Sequence, residues 1–175
     1  MNLERFRSRA AELVAYCRER GYNEKYLLLW DLSLHSGRRR FVVWSVERDC
    51  ALHCFVASHG SGSAKNKVRS AYATLSNEDG SHLSAEGRAL VGERYEGRYG
   101  VAYRLDGLDA TNSALRKRCV VLHGWRYTTP FPIYPVPTVG SWGCPVLSRR
   151  AMRIVDELLR REARVVLWAY KYGII

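Results

Sequence analysis

The 175 residues are enough for one domain, and a hydrophobic share of 47% lets the chain bury a core of its own. A formal charge of +11 draws polyanions by long-range attraction, so nucleic acid, an anionic lipid surface and an anionic cell-wall polymer all qualify as partners. No run of about 18 apolar residues occurs, which excludes a membrane-spanning helix, and Met1-Asn2-Leu3-Glu4-Arg5 lacks the apolar stretch of a secretory leader.

In chain order, Leu3, Phe6, Ala10, Leu13 and Cys17 are spaced three and four apart and predict a helix stopped at Gly21. Strand signals follow over Tyr26–Leu34, Phe41–Val46 and Ala51–Ser58. The short links Ser36-Gly37-Arg38 and Glu47-Arg48-Asp49 predict antiparallel hairpins. Ser58–Lys67 is polar and Gly-rich and reads as a loop. Beyond Ala71 the pattern weakens into short candidate strands, Tyr72–Leu75, Arg88–Val91 and Tyr99–Leu105, separated by Asn, Asp, Gly and Ser turns. Thr111–Lys117 reads as a short helix, and Cys119–His123 as an apolar strand ending at a histidine.

Gly124–Gly140 holds four prolines and shows neither helical nor strand period. A loop of that length inside a compact domain is functional or disordered, and its aromatic and Pro content favours function. Ala151, Ile154, Val155, Leu158 and Leu159 predict a second amphipathic helix with Ser148 as its N-cap. Val165–Tyr170 is a last apolar strand. The fold class expected is mainly β (α+β), with a few peripheral helices and residues 1–175 forming a single domain.

Five cysteines leave at least one thiol unpaired in a monomer. Cys17, Cys50, Cys54 and Cys119 lie in apolar or alternating segments and read as small hydrophobes. Cys144 differs, because Gly143 and Pro145 flank it. Cys50, His53 and Cys54, with His59 nearby, are the nearest approach to a zinc set. No C-x-x-C pair is present, and neighbours on a strand face opposite ways, so no metal and no cofactor are expected. Gly60-Ser61-Gly62-Ser63 lacks the G-K-[ST] ending of a phosphate-binding loop.

The chemistry available centres on His123 and Cys144. A thiol nucleophile needs a base and a group that orients the base. His123 stands at a strand end, where a rigid scaffold can aim it, and the Gly124 carbonyl can accept from its second ring nitrogen and fix the tautomer. The N–H groups of Gly143 and Cys144 are candidates for an oxyanion site. The helix that begins near Ser148 would add its dipole to a thiolate at Cys144. Papain-like order places Cys before His and is excluded here, as is serine chemistry, because no G-x-S-x-G elbow occurs.

His123-Gly124 followed at a distance by Ser141-Trp142-Gly143-Cys144-Pro145 resembles the signature of L,D-transpeptidase catalytic domains of the YkuD type. Further pieces are similar to a divergent branch of that family. They include Ser58-His59-Gly60-Ser61-Gly62, Leu75-Ser76-Asn77, Tyr95-Glu96-Gly97 and Leu105-Asp106-Gly107-Leu108-Asp109. The resemblance implies a β-sandwich-like catalytic domain acting on peptidoglycan stem peptides. Cys144 would attack the carbonyl between the third, diamino-acid residue and the terminal D-Ala of a tetrapeptide stem. An amine of a second stem would then give a 3–3 crosslink, or water would make the enzyme an L,D-carboxypeptidase. The same carry-over makes His123 the base and Gly124 its orienter. Ser141, Trp142 and Gly143, with His59 and Tyr127, line the substrate side. There are two departures from the commoner signature. Trp142 stands where it has His, and Pro145-Val146-Leu147 stands where it has an Arg shortly after the cysteine.

The resemblance implies a periplasmic or cell-wall-facing location, reached after removal of a leader. The competing reading is a basic domain that binds an anionic polymer without chemistry, carried by Arg38-Arg39-Arg40, Arg116-Lys117-Arg118 and Arg149-Arg150. No aromatics interleave these runs in a nucleic-acid pattern, so they read mostly as solvated surface and no nucleic acid is expected.

Overall fold

The computed structural model describes residues 3–62 and 69–172. Helix α1 (Glu4–Arg20) ends where Gly21 adopts the left-handed conformation at φ 65°. Glycine is the residue without a Cβ penalty there. Strands β1 (Tyr26–Asp31), β2 (Arg39–Ser45), β3 (Cys50–Ser58), β4 (Gly87–Gly97), β5 (Gly100–Gly107), β6 (Val121–Trp125) and β7 (Val146–Ser148) precede helix α2 (Arg149–Leu159) and strand β8 (Val166–Tyr170).

The strands close into one barrel in the order β1, β2, β3, β7, β6, β5, β4, β8. The β1–β2 and β2–β3 hairpins are antiparallel. Two neighbours, β1–β8 and β6–β7, are parallel. The fold is therefore mainly β with helices at the periphery, its sheet closed on itself.

Alternation sorts the side chains into two cores. Leu28 and Trp30 of β1 join Phe41 and Val43 of β2 in the main core, with Leu122, Leu147 and Leu167. Leu27, Leu29, Val42 and Trp44 point the other way and meet Phe6, Ala10, Leu13 and Cys17 of α1. This is why β1 and β2 read as continuous apolar runs: α1 covers the face that would otherwise meet water. Helix α2 is capped by Ser148, whose Oγ accepts from the Ala151 N–H at 3.2 Å. It crosses β6 so closely that a Cβ on Gly124 would lie 3.0 Å from Met152 Cβ.

Four expectations need correction. Tyr72–Leu75 is not a strand: only Leu75 bridges, to Ser84, and side chains take the segment's carbonyls, Ser70 Oγ donating to Tyr72 and Lys171 Nζ to Ala73. Thr111–Lys117 forms a 3-10 turn at Ala110–Asn112 instead of an α-helix. Asn112 is pulled away to donate to the Arg88 carbonyl at 2.8 Å. Cys119 does not pack as a small hydrophobe: it is exposed, at a positive φ of 53°. Arg40 is not surface: it is fully buried and donates to the carbonyls of Ala57 and Leu34. The unforeseen strand is β7, three residues too short to show a period. The phosphate-loop reading of Gly60–Ser63 and the end of the Ser58–Lys67 loop fall partly outside the described residues.

Candidate active site

Parallel strands need a long crossover, and the Pro-rich stretch between Trp125 and Val146 is that crossover. It is tied down as it passes. Ile133 and Tyr134 N–H groups donate to the Gly37 carbonyl at 2.8 and 3.2 Å. Thr138 N–H donates to Ser36 Oγ at 3.2 Å. The return brings His123 level with Val146 across the β6–β7 pair, with the His123 N–H donating to the Pro145 carbonyl at 3.4 Å. Residue 123 thus stands two positions in register from residue 144, far from it in sequence.

Both residues line one cavity of about 700 Å³, together with Tyr95, Tyr99, Arg118, Trp125, Ser141 and Trp142. His123 is buried, and its Nδ1 pairs with the Gly124 carbonyl at 3.1 Å. A carbonyl only accepts, so Nδ1 carries the proton and Nε2 keeps its lone pair. Tyr99, on the two-residue turn between β4 and β5, stacks on the ring at 4.9 Å. Burial lowers the imidazole pKa, opposed by the Gly124 bond.

Cys144 is half-buried. Its Sγ accepts from the Val121 N–H at 3.4 Å. Burial raises the thiol pKa, opposed by that N–H and by the charge of Arg118. With the thiol raised and the imidazole lowered, both groups lining the cavity rest neutral at neutral pH.

The turn before Cys144 is fixed by serines. Ser141 Oγ donates to the Cys144 carbonyl at 2.7 Å and accepts from the Gly143 N–H at 3.3 Å. Gly143 therefore already has a partner, and among the described residues the Cys144 N–H has none. Gly143 sits at φ 109°, and a Cβ there would lie 3.0 Å from the Leu83 carbonyl oxygen. Trp142 is 75% exposed, its ring parallel to His82 at 4.6 Å.

The cavity thus joins Cys144, His123, Ser141 and Trp142, with Gly124 and Gly143 acting through backbone. His59 and Tyr127 are elsewhere. His59 is buried under Arg40, whose Nη2 lies 2.5 Å from its Nδ1. It serves the site through its carbonyl, which accepts from the Ser141 N–H at 2.8 Å. Tyr127 is exposed and stands edge-on to Trp125 at 5.0 Å. Sequence reasoning missed Tyr99, His82, Ser84 and Arg118. Tyr99 carried a signal, the Gly97-Arg98-Tyr99-Gly100 turn; the others sit in a stretch without period. Among the described residues, no group of three His, Cys, Asp or Glu is placed to hold a metal.

A barrel whose parallel β6–β7 pair brings a histidine and a cysteine to one cavity defines a candidate acyl-transfer site. The L,D-transpeptidase catalytic domain family (YkuD_2) matches residues 1–170, and the chain belongs to it. That family acts on peptidoglycan. No curated protein matches the chain. Among solved structures, the helical cell shape determining protein Pgp2 from Campylobacter jejuni is similar at 12% identity and a TM-score of 0.52, over 88% of this chain and 50% of that one. This likeness shows a shared fold. An L,D-transpeptidase from Mycobacterium smegmatis matches at 14% identity and TM-score 0.49, over 83% and 58%. An L,D-transpeptidase from Xylanimonas cellulosilytica matches at 16% and 0.44, over 89% and 68%.

Proposed function

We propose that the chain is a peptidoglycan L,D-transpeptidase, with residues 1–175 acting as one catalytic domain that faces the cell wall. The observation that carries this is the His123 tautomer: its Nδ1–H is spent on the Gly124 carbonyl, which frees Nε2 as a base in the cavity that Cys144 also lines. In the reaction, Nε2 takes the thiol proton as sulfur bonds the carbonyl carbon before D-Ala. The Cys144 N–H stabilises the oxyanion. The C–N bond breaks, the proton passes from Nε2 to the leaving amine, and a thioester remains. An amine of a second stem then attacks, gives its proton to His123, and releases Cys144 as the thiol.

The distribution of charge disfavours the purely binding alternative. Arg40 is fully buried, and Arg116 is engaged by Glu93 and Asp106. The basic runs therefore do not form a free stripe.

Mass spectrometry after incubation with a carbapenem tests the reading. The expected result is one adduct on Cys144, lost in Cys144→Ala; an intact protein with no adduct refutes it. Purified muropeptides then separate the acceptors. Crosslinked dimers mean transpeptidation, and tripeptide alone means hydrolysis. His123→Ala is expected to abolish turnover while changing stability by no more than about 1–2 kcal/mol.

A further inference from the structure

Ser84 lies outside every motif discussed above, yet it is completely buried beside the nucleophile turn. Its Oγ accepts from the Gly60 N–H at 2.9 Å and donates to the Gly143 carbonyl at 2.9 Å. Its own backbone is held in turn, because the Ser76 N–H donates to the Ser84 carbonyl at 3.0 Å.

The peptide unit that carries the Gly143 carbonyl also carries the Cys144 N–H. The only cis bond among the described residues is Tyr134–Pro135, so this unit is trans, and its C=O and N–H point in opposite directions. Ser84 holds the carbonyl toward the protein interior. Gly143 accordingly borders a small inner space with Ala85 and Leu167, while Cys144 borders the large cavity. The Cys144 N–H must then face the cavity. On the far side, Ser141 Oγ anchors the carbonyl of the next peptide unit, that of Cys144, at 2.7 Å, which restrains the turn from that end as well.

We propose that Ser84 is a positioning residue for the oxyanion donor: by fixing the Gly143 carbonyl inward, it aims the Cys144 N–H at the developing charge. The inference rests on the reading of Cys144 as an acylated nucleophile. Ser84 touches neither substrate nor sulfur, and it acts on the tetrahedral transition states of acylation and of acceptor attack.

Two reactions of the same thiol separate this role from a structural one. Iodoacetamide alkylates sulfur by displacement at a saturated carbon and forms no oxyanion. A carbapenem acylates it through a tetrahedral oxyanion. In Ser84→Ala, alkylation read at the Cys144 peptide stays within about twofold of wild type. Carbapenem acylation falls at least about tenfold, short of the ~10²–10³-fold loss expected when such a donor is removed outright. Ser84→Thr, which keeps the hydroxyl, acylates faster than its isostere Ser84→Val, and this pair decides the matter if the alanine variant does not fold. Amide hydrogen exchange on the wild-type protein is independent of any variant. The Cys144 amide is expected to exchange rapidly in the free protein and to become protected in the acyl-enzyme. Equal loss of both reactions in Ser84→Ala, equal acylation by the Thr and Val variants, or a Cys144 amide already protected in the free protein overturns the proposal. A wild-type protein that no carbapenem acylates overturns the functional reading itself, and Ser84 with it.

Discussion

Protonating His59 would place a second positive charge in the interior beside a guanidinium. Burial, and then Arg40, push the imidazole from its ordinary 6.5 down to about 3, opposed mainly by the Tyr72 backbone. Arg40 is lowered by burial to about 9 and so stays cationic across the neutral and mildly acidic range. The folded protein therefore keeps His59 neutral, while the unfolded chain binds a proton below 6.5. Because the folded value is depressed, stability is fully present above 6.5 and is lost as pH falls from there toward about 3. At about pH 5 the unfolded chain gains RT ln(1 + 10^1.5), about 2 kcal/mol, from this one group. The perturbation is His59→Asn, whose amide oxygen can take the Arg40 bond without titrating. Urea unfolding of both proteins between about pH 7.5 and pH 5 is the assay, and other histidines cancel in the difference. Whatever the variant loses at neutral pH, the gap should shrink by about 2 kcal/mol on acidification. Parallel curves would show that His59 takes up its proton as easily folded as unfolded, and would refute the reasoning.

Gly143→Ala places a side chain at φ 109° against the Leu83 carbonyl. Thermal denaturation should show about 1–3 kcal/mol of lost stability, with carbapenem acylation slowed as the turn shifts. The pH dependence of kcat/KM should show an acid limb below 6.5, because the lowered imidazole stays a competent base there. Tyr99→Ala exposes the ring that Tyr99 covers at 4.9 Å and should move that limb upward; an unmoved limb would remove Tyr99 from the base's environment.

Much of this molecule was written locally. The spacing of Phe6, Ala10, Leu13 and Cys17 set both α1 and its buried face. Gly21 stopped that helix, Ser148 started the next, and the short links after β1 and β2 made the hairpins. Local steric and hydrogen-bonding preferences act within a few residues, so they survive in a one-dimensional reading. The candidate pair His123 and Cys144 could be proposed for a related reason: an imidazole and a thiol are side chains able to serve as base and nucleophile, and the type of each is read directly from the sequence.

Tertiary structure decided what depends on long-range pairing. The barrel closes through β1–β8 and β6–β7, and no local pattern encodes which strands meet. The β6–β7 register, not the spacing of residues, sets His123 level with Val146 and so brings it to the cavity that Cys144 lines. Arg40 looked like surface charge within an Arg run, yet the sheet carries it inward, where three carbonyl contacts replace water. Ser84 is a serine among serines in the sequence. It gains its meaning only because the fold sets its hydroxyl against the carbonyl of Gly143, fifty-nine positions away.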